Sequence, residues 1–103
     1  MTKTIMLVCA GGFSSSLLVK HMQDAAKDEG RDYTIFATSV YAATDEYPRR
    51  HPDVLLIGPQ VRFESEKLTK ALPIPVQVID MHDYGTMNGP AVLAVAEELM
   101  GDK

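Results

Sequence analysis

The run Ile5-Met6-Leu7-Val8 contains no polar residue and stops at Cys9-Ala10-Gly11-Gly12, a junction that constrains the chain more than any other part of it. An apolar run without alternation marks a strand covered on both faces. Two glycines then permit a sharp turn, and Ser14, Ser15 and Ser16 are candidate caps for a helix. Leu17, Leu18, His21, Met22, Ala25 and Ala26 follow at helical spacing, a stripe that runs to Gly30. A buried strand, a tight turn and a helix in that order open a parallel α/β unit.

The pattern repeats. Residues 33–40 alternate β-branched, aromatic and small side chains and read as a second strand. Residues 54–57, set between Pro52-Asp53 and Gly58-Pro59, form a third, and residues 76–79 a fourth. Residues 61–72 read as a helix with Leu68, Ala71 and Leu72 inward and Pro73 as its stop. Asn88-Gly89-Pro90 opens the last helix, with Val92, Leu93, Ala96, Leu99 and Met100 as its core stripe. Residues 41–51 fit a short helix or a loop equally well, and both readings stand. With 103 residues there is room for one domain, residues 1–103. The expected fold is α/β: a four-stranded parallel sheet with flanking helices, flavodoxin-like in order 2-1-3-4, with a phosphate loop after strand 1.

Composition narrows the function classes. Ten basic against 14 acidic residues give a net charge of −4, which argues against a nucleic-acid or anionic-membrane surface. No apolar run approaches the ~20 residues of a membrane span, and no signal-peptide pattern is expected, so the reading is a cytoplasmic protein. The single cysteine excludes an internal disulfide, a dithiol redox pair and a thiolate zinc site. No metal-ligand cluster and no cofactor motif is visible.

Cys9 is then either a small buried hydrophobe or a nucleophile, and its position decides. It ends the first strand, and open parallel sheets bind ligands beyond the carboxyl ends of their strands, where the strand order reverses. Glycines at 11 and 12 let successive N–H groups turn inward as an anion nest, and a following helix adds unpaired donors. A thiolate at the lip of such a loop would be stabilised, and a phosphoryl group on its sulfur would meet the same donors. The Gly-Gly and triple-serine context favours this reading over an inert thiol. No Lys-Ser/Thr follows the glycines and there is no Gly-x-Gly-x-x-Gly, which disfavours an ATPase or a dinucleotide enzyme. Cysteine phosphatases share the strand–cysteine–helix layout, but Ser15 stands where their loop arginine would be. A serine cannot clamp phosphoryl oxygens as a guanidinium does, so a carrier suits the loop better than a hydrolase.

From Ile5 to Met22, with Cys9, Gly12, Ser14, Ser16, Leu17, Leu18 and Val19, the chain resembles the B subunit (IIB) of sugar phosphotransferase-system (PTS) transporters of the lactose/cellobiose type. The resemblance continues through Asp53-Val54-Leu55-Leu56-Ile57-Gly58-Pro59-Gln60, then Pro75 to Asp80, then Tyr84-Gly85. It implies that Cys9 accepts a phosphoryl group from a phosphohistidine of the IIA subunit. Transfer to a cellobiose-, lactose- or chitobiose-like sugar held by the membrane subunit IIC would follow. Ala10, Gly11, Gly12, Phe13, Ser14 and Ser15 would hold the phosphate, with no cofactor and no metal. The implied protein is peripheral to the membrane transporter and does not insert. A hydrolase like the low-molecular-weight cysteine phosphatases is the alternative.

Other residues carry weaker signals. Gln60 either donates its amide near the site or only enters the next helix. Asp80, His82 and Asp83 follow the fourth strand, and His82 either lines the site rim or faces solvent. Asp80 is expected to turn toward backbone donors, because a carboxylate would repel a phosphocysteine. Tyr84 is expected at the rim as an exposed ring, and Phe13 either packs under the loop or faces a partner. His21 reads as a packing residue and His51 as solvated. Arg49 and Arg50 read as an ordinary exposed turn or a patch for an acidic partner.

Overall fold

The computed structural model describes residues 2–10 and 13–101, and for Phe13, Ser14 and Ser15 the backbone alone. Strand β1 (Lys3–Cys9) lies between β2 (Tyr33–Ser39) and β3 (Val54–Ile57), with β4 (Val76–Val78) outermost. All pairings are parallel and the order is β2-β1-β3-β4, as expected from the sequence. Side chains of a strand point alternately to its two faces. Ile5 and Leu7 therefore join Val54 and Leu56 in one apolar cluster, while Met6 and Val8 join Leu55 and Ile57 in the other. None of these residues is more than 1% exposed. Burial on this scale is worth roughly 1.5–3 kcal/mol per side chain, which makes the two central strands the anchor of the fold.

Helix α1 (Phe13–Asp28) and the last helix, α5 (Gly89–Met100), cover the first face. Helix α2 (Ala43–Arg50) and α3 (Ser65–Ala71) cover the second. Right-handed crossovers explain the division. The chain moves from β1 out to β2 and then reverses to reach β3, so the crossing helix changes face. That reversal places the switch point between β1 and β3.

Residues 41–51, where helix and loop both stood, hold a 3-10 turn, Val40–Ala42, and α2, so the helix reading holds; Pro48 inside it and an apolar stripe reduced to buried Ala43 had kept the two readings equal. Other local readings are corrected. The expected helix over 61–72 begins as a 3-10 segment, Pro59–Glu64, kinked at Val61 (φ −121°), and only then becomes α3. Ala71 and Leu17 are exposed rather than inward-facing. A helical turn not anticipated, α4 (Met81–Gly85), follows β4, and Ile79 lies just beyond that strand while still donating its N–H to Ile57 O at 2.8 Å.

Packing of α5 on α1 fixes the start of α5. A Cβ on Gly89 would fall 2.5 Å from the carbonyl carbon of His21, an impossible approach, so only glycine fits. His21 Nδ1 lies 2.8 Å from Met87 O, and Asn88 Oδ1 accepts from Ala91 N at 3.1 Å to cap the helix. His21 is thus a half-buried packing residue, as expected.

Candidate functional site

Cys9 is the last residue of β1 and sits at the switch point, paired in register with Ser39 on β2. On its other side the N–H of Gly58 donates to Val8 O at 2.8 Å, so β3 leaves the sheet alongside it. A Cβ on Gly58 would stand 3.3 Å from Val8 O, 3.4 Å from Gln60 Oε1 and 3.6 Å from Cys9 Cβ. Gly58 therefore leaves room for Cys9 and Gln60 to flank it closely. The expectation of a thiol at an open lip is corrected: Cys9 is buried, 2% exposed, although Ala10 beside it is at the surface. The buried core strand holds the sulfur at a recessed, fixed place.

Gly11 and Gly12, and the side chains of Phe13, Ser14 and Ser15, fall outside the described residues, and so does the nest expected there. What is described is the backbone of α1, which starts at Phe13 and carries no acidic residue in its first turn. A helix of 16 residues thus begins directly after the cysteine loop, with nothing negative on its own first turn to oppose an anion there.

The other expected residues separate. Asp80 behaves as anticipated: its Oδ2 accepts from His82 N at 3.0 Å and Asp83 N at 3.1 Å, capping α4. His82 is 82% exposed and stands 3.9 Å from Asp83 Oδ1. Tyr84 is corrected: it is buried, 5% exposed, because the unforeseen α4 turns its ring into the core cluster of α1 and α5. It nevertheless lines a cavity of about 170 Å³ together with Pro59, Gln60, Arg62, Met81 and Gly85. Gln60 is exposed and lies between that cavity and Gly58. Arg49 and Arg50 turn to Glu46 at 3.7 and 4.0 Å, and Arg50 stacks on the Phe36 ring at 3.8 Å, at the sheet end away from Cys9. His51 is exposed, edge-on to Tyr47.

Arg62 is the side chain that sequence reasoning missed. A helix running from 61 gives no reason for it to turn back, whereas the 3-10 segment does, and Arg62 Nη1 donates to Pro59 O at 2.9 Å. The Gly58-Pro59 junction was the available signal, since proline in the first turn favours a tight start.

A doubly wound parallel α/β domain with its only thiol at the switch point defines the class. Comparison with known proteins places it further. The family model "PTS system, Lactose/Cellobiose specific IIB subunit" matches residues 4–95. A cellobiose-specific EIIB component of Lactococcus lactis subsp. lactis is 50% identical, covering 95% of this chain and 96% of that protein. A galactose-specific EIIB component of L. lactis subsp. cremoris matches equally, at 50% with the same coverage. The solution structure of a cellobiose-specific IIB component from Borrelia burgdorferi superposes with a TM-score of 0.81 at 35% identity, over 100% of this chain and 95% of that one. A lactose-specific IIB domain from Streptococcus pneumoniae shares the fold, with a TM-score of 0.84 at 17% identity over 96% and 98% of the two chains. The chain belongs to the lactose/cellobiose IIB family and is a sugar-specific component of a phosphotransferase system.

Proposed function

We propose that the protein is a phosphocarrier: Cys9 accepts a phosphoryl group from a phosphohistidine of the IIA subunit and passes it to a sugar held by the membrane subunit IIC. The sugar is a β-linked disaccharide or a relative; the named relatives are cellobiose- and galactose-specific, and an oligo-beta-mannoside-specific EIIB component of Bacillus subtilis is 38% identical. The observation that carries the reading is Cys9 at the carboxyl end of β1, at the switch point, directly before the start of α1. In the first step the thiolate sulfur attacks phosphorus as the P–N bond to the imidazole breaks. In the second a sugar hydroxyl attacks as the P–S bond breaks, its proton leaving to a base on the transporter. The backbone from Ala10 to Ser15 is the proposed cradle for the group between the steps. Such transfers need positioning and charge stabilisation, which main-chain donors supply.

The recessed sulfur favours the carrier over the phosphatase-like alternative. A buried nucleophile reached only by a close-docked partner is poorly placed to turn over free phosphate esters in water. The carboxyl end of the sheet also keeps Tyr41, Phe63 and Met81 exposed at 75%, 69% and 67%, with Leu17 near the start of α1 at 49%. Large apolar side chains left in solvent at one pole suit a modest, dissociable protein interface. No described helix is long and apolar enough to cross a membrane, in keeping with a component that works beside the transporter at its cytoplasmic side.

The test is mass spectrometry of the protein after incubation with phosphorylated IIA. One phosphoryl group should appear on Cys9 of the wild type and none on Cys9→Ser, whose thermal unfolding should be nearly unchanged. Sugar phosphorylation that survives Cys9→Ser in the reconstituted system would overturn the reading.

A further inference from the structure

The cavity beside the cysteine pole is lined by Pro59, Gln60, Arg62, Met81, Tyr84 and Gly85, and among the described residues Arg62 is its one charged side chain. We infer that this cavity is the specificity pocket for the IIA donor and takes an acidic side chain of it onto the Arg62 guanidinium; the inference rests on the carrier reading above.

Three observations carry it. Arg62 is exposed, and among the described residues it has no carboxylate within ion-pair distance, although Glu46, Glu64, Glu66 and Glu97 all engage cations elsewhere. Its Nη1 is tied to Pro59 O at 2.9 Å, which holds the planar fork in one orientation without neutralising it. A guanidinium fixed in this way is pre-organised for two parallel bonds to a carboxylate, the geometry in which arginine excels over lysine. The pocket is also continuous with the proposed transfer site through Gln60, whose Oε1 and the Cys9 Cβ flank Gly58. A volume near 170 Å³ accommodates one side chain. The exposed thioether of Met81 supplies an apolar wall for its methylenes.

Two other occupants fit less well. A phosphoryl group on Cys9 is one, but Cys9 is not among the described residues that line the cavity. The membrane subunit is the second partner that must reach the sulfur, but cytoplasmic loops of membrane proteins carry an excess of Lys and Arg. A guanidinium would repel such a loop, whereas a soluble donor is free to present a carboxylate. Charge complementarity at a rim sets encounter and partner choice more than it sets the chemical step.

The two half-reactions separate the possibilities. With phosphorylated IIA of the same organism as donor, Arg62→Glu should raise the KM for donor by about tenfold or more, with kcat for phosphocysteine formation within about twofold. Arg62→Lys should fall between, since it keeps the charge and loses the fork. Added salt should weaken the wild type more than Arg62→Met. Pre-phosphorylated Arg62→Glu should deliver its phosphoryl group to sugar in IIC-containing membranes at the wild-type rate. An unchanged donor KM would overturn the inference, as would an effect confined to kcat or to the membrane half-reaction. Those results leave phosphorylation of Cys9 itself intact; a wild-type protein that takes no phosphoryl group from IIA overturns the carrier reading and this inference together.

Discussion

The two ends of the sheet are finished differently. At the amino end, polar groups are tied to one another: Thr4 N donates to Asp53 Oδ2 at 2.8 Å, and the buried carboxylate of Glu97 meets Tyr33 Oη at 3.0 Å and Arg31 Nε at 3.6 Å. At the carboxyl end, Tyr41, Phe63 and Met81 stay in solvent and Arg62 has no carboxylate partner among the described residues. Every buried side-chain nitrogen and oxygen described in the chain has a hydrogen-bond partner, so this contrast concerns the surface. One pole is closed for stability and the other is left open for partners. If so, substitutions at the first should act on folding and substitutions at the second on transfer.

Glu97→Ala tests the division most severely. It removes the acceptor of the Tyr33 hydroxyl and the partner of Arg31 at a site only 6% exposed. The cost should be about 2 kcal/mol in unfolding by denaturant, since a part-buried hydrogen bond to a charged acceptor is worth roughly 1.5–3 kcal/mol. Phosphoryl transfer by the fraction that remains folded should be unaffected. A large loss of transfer without loss of stability would break the comparison.

Gly58→Ala sharpens it from the other pole. The backbone there is extended (φ −60°, ψ 142°), which alanine adopts readily, so conformation is not the obstacle. The new methyl would meet Val8 O at 3.3 Å and crowd Gln60 and Cys9. Stability should fall by about 1 kcal/mol, because a tight contact is partly offset by a less flexible unfolded chain. Transfer should fall by about tenfold, since small displacements of a reacting group are costly. An unimpaired rate would show that the neighbourhood of Gly58 and Gln60 does not position the sulfur.

What could be read from the sequence follows the same contrast. Buried, continuous apolar runs located β1 and β3, because a strand covered on both faces leaves no polar alternation to misread; β4, expected to be buried as well, is an edge strand with Gln77 exposed and Val76 and Val78 half-buried. The expected order joined right-handed crossovers to a reversal beside the first strand, and the end of the first apolar run gave the place of Cys9. Elements that hold few buried residues were the ones left open or missed. Helix α2 contributes only Ala43 to the core and contains Pro48, and α4 is a single turn whose signal was the Asp80 cap. Missing α4 had a consequence for the site, because that turn is what carries Tyr84 inward. Arg62 escaped for the related reason that a 3-10 start looks like an ordinary helix in sequence, while the two place that side chain differently. The resemblance to the family pointed to Cys9 as the candidate nucleophile; it did not point to the pocket beside it.

The smallest effect is also the one that reads the closed pole most directly. Glu29, at the end of α1, has its carboxyl pushed above the ordinary Glu range. The hydrogen bond to Glu97 is the main cause, followed by burial and by the negative charge of Glu97, with Arg31 opposing. A group whose proton is held more tightly in the folded state stabilises the fold fully below its unfolded pKa, and that stabilisation is lost as pH rises through the folded value. Wild-type stability should therefore decline as pH rises from about 4.5, the unperturbed value, through the raised one. Glu29→Gln keeps a donor toward Glu97 without the titration, so its stability should be flatter over the same interval and slightly above wild type near neutral pH. The side chain is 42% exposed, and solvent screening keeps the difference below that of either substitution above. Parallel melting curves of the two proteins from acid to neutral pH measure it. Curves that run parallel throughout would mean that Glu29 and Glu97 do not share a proton, and that Arg31 and Tyr33 alone close this end of the molecule.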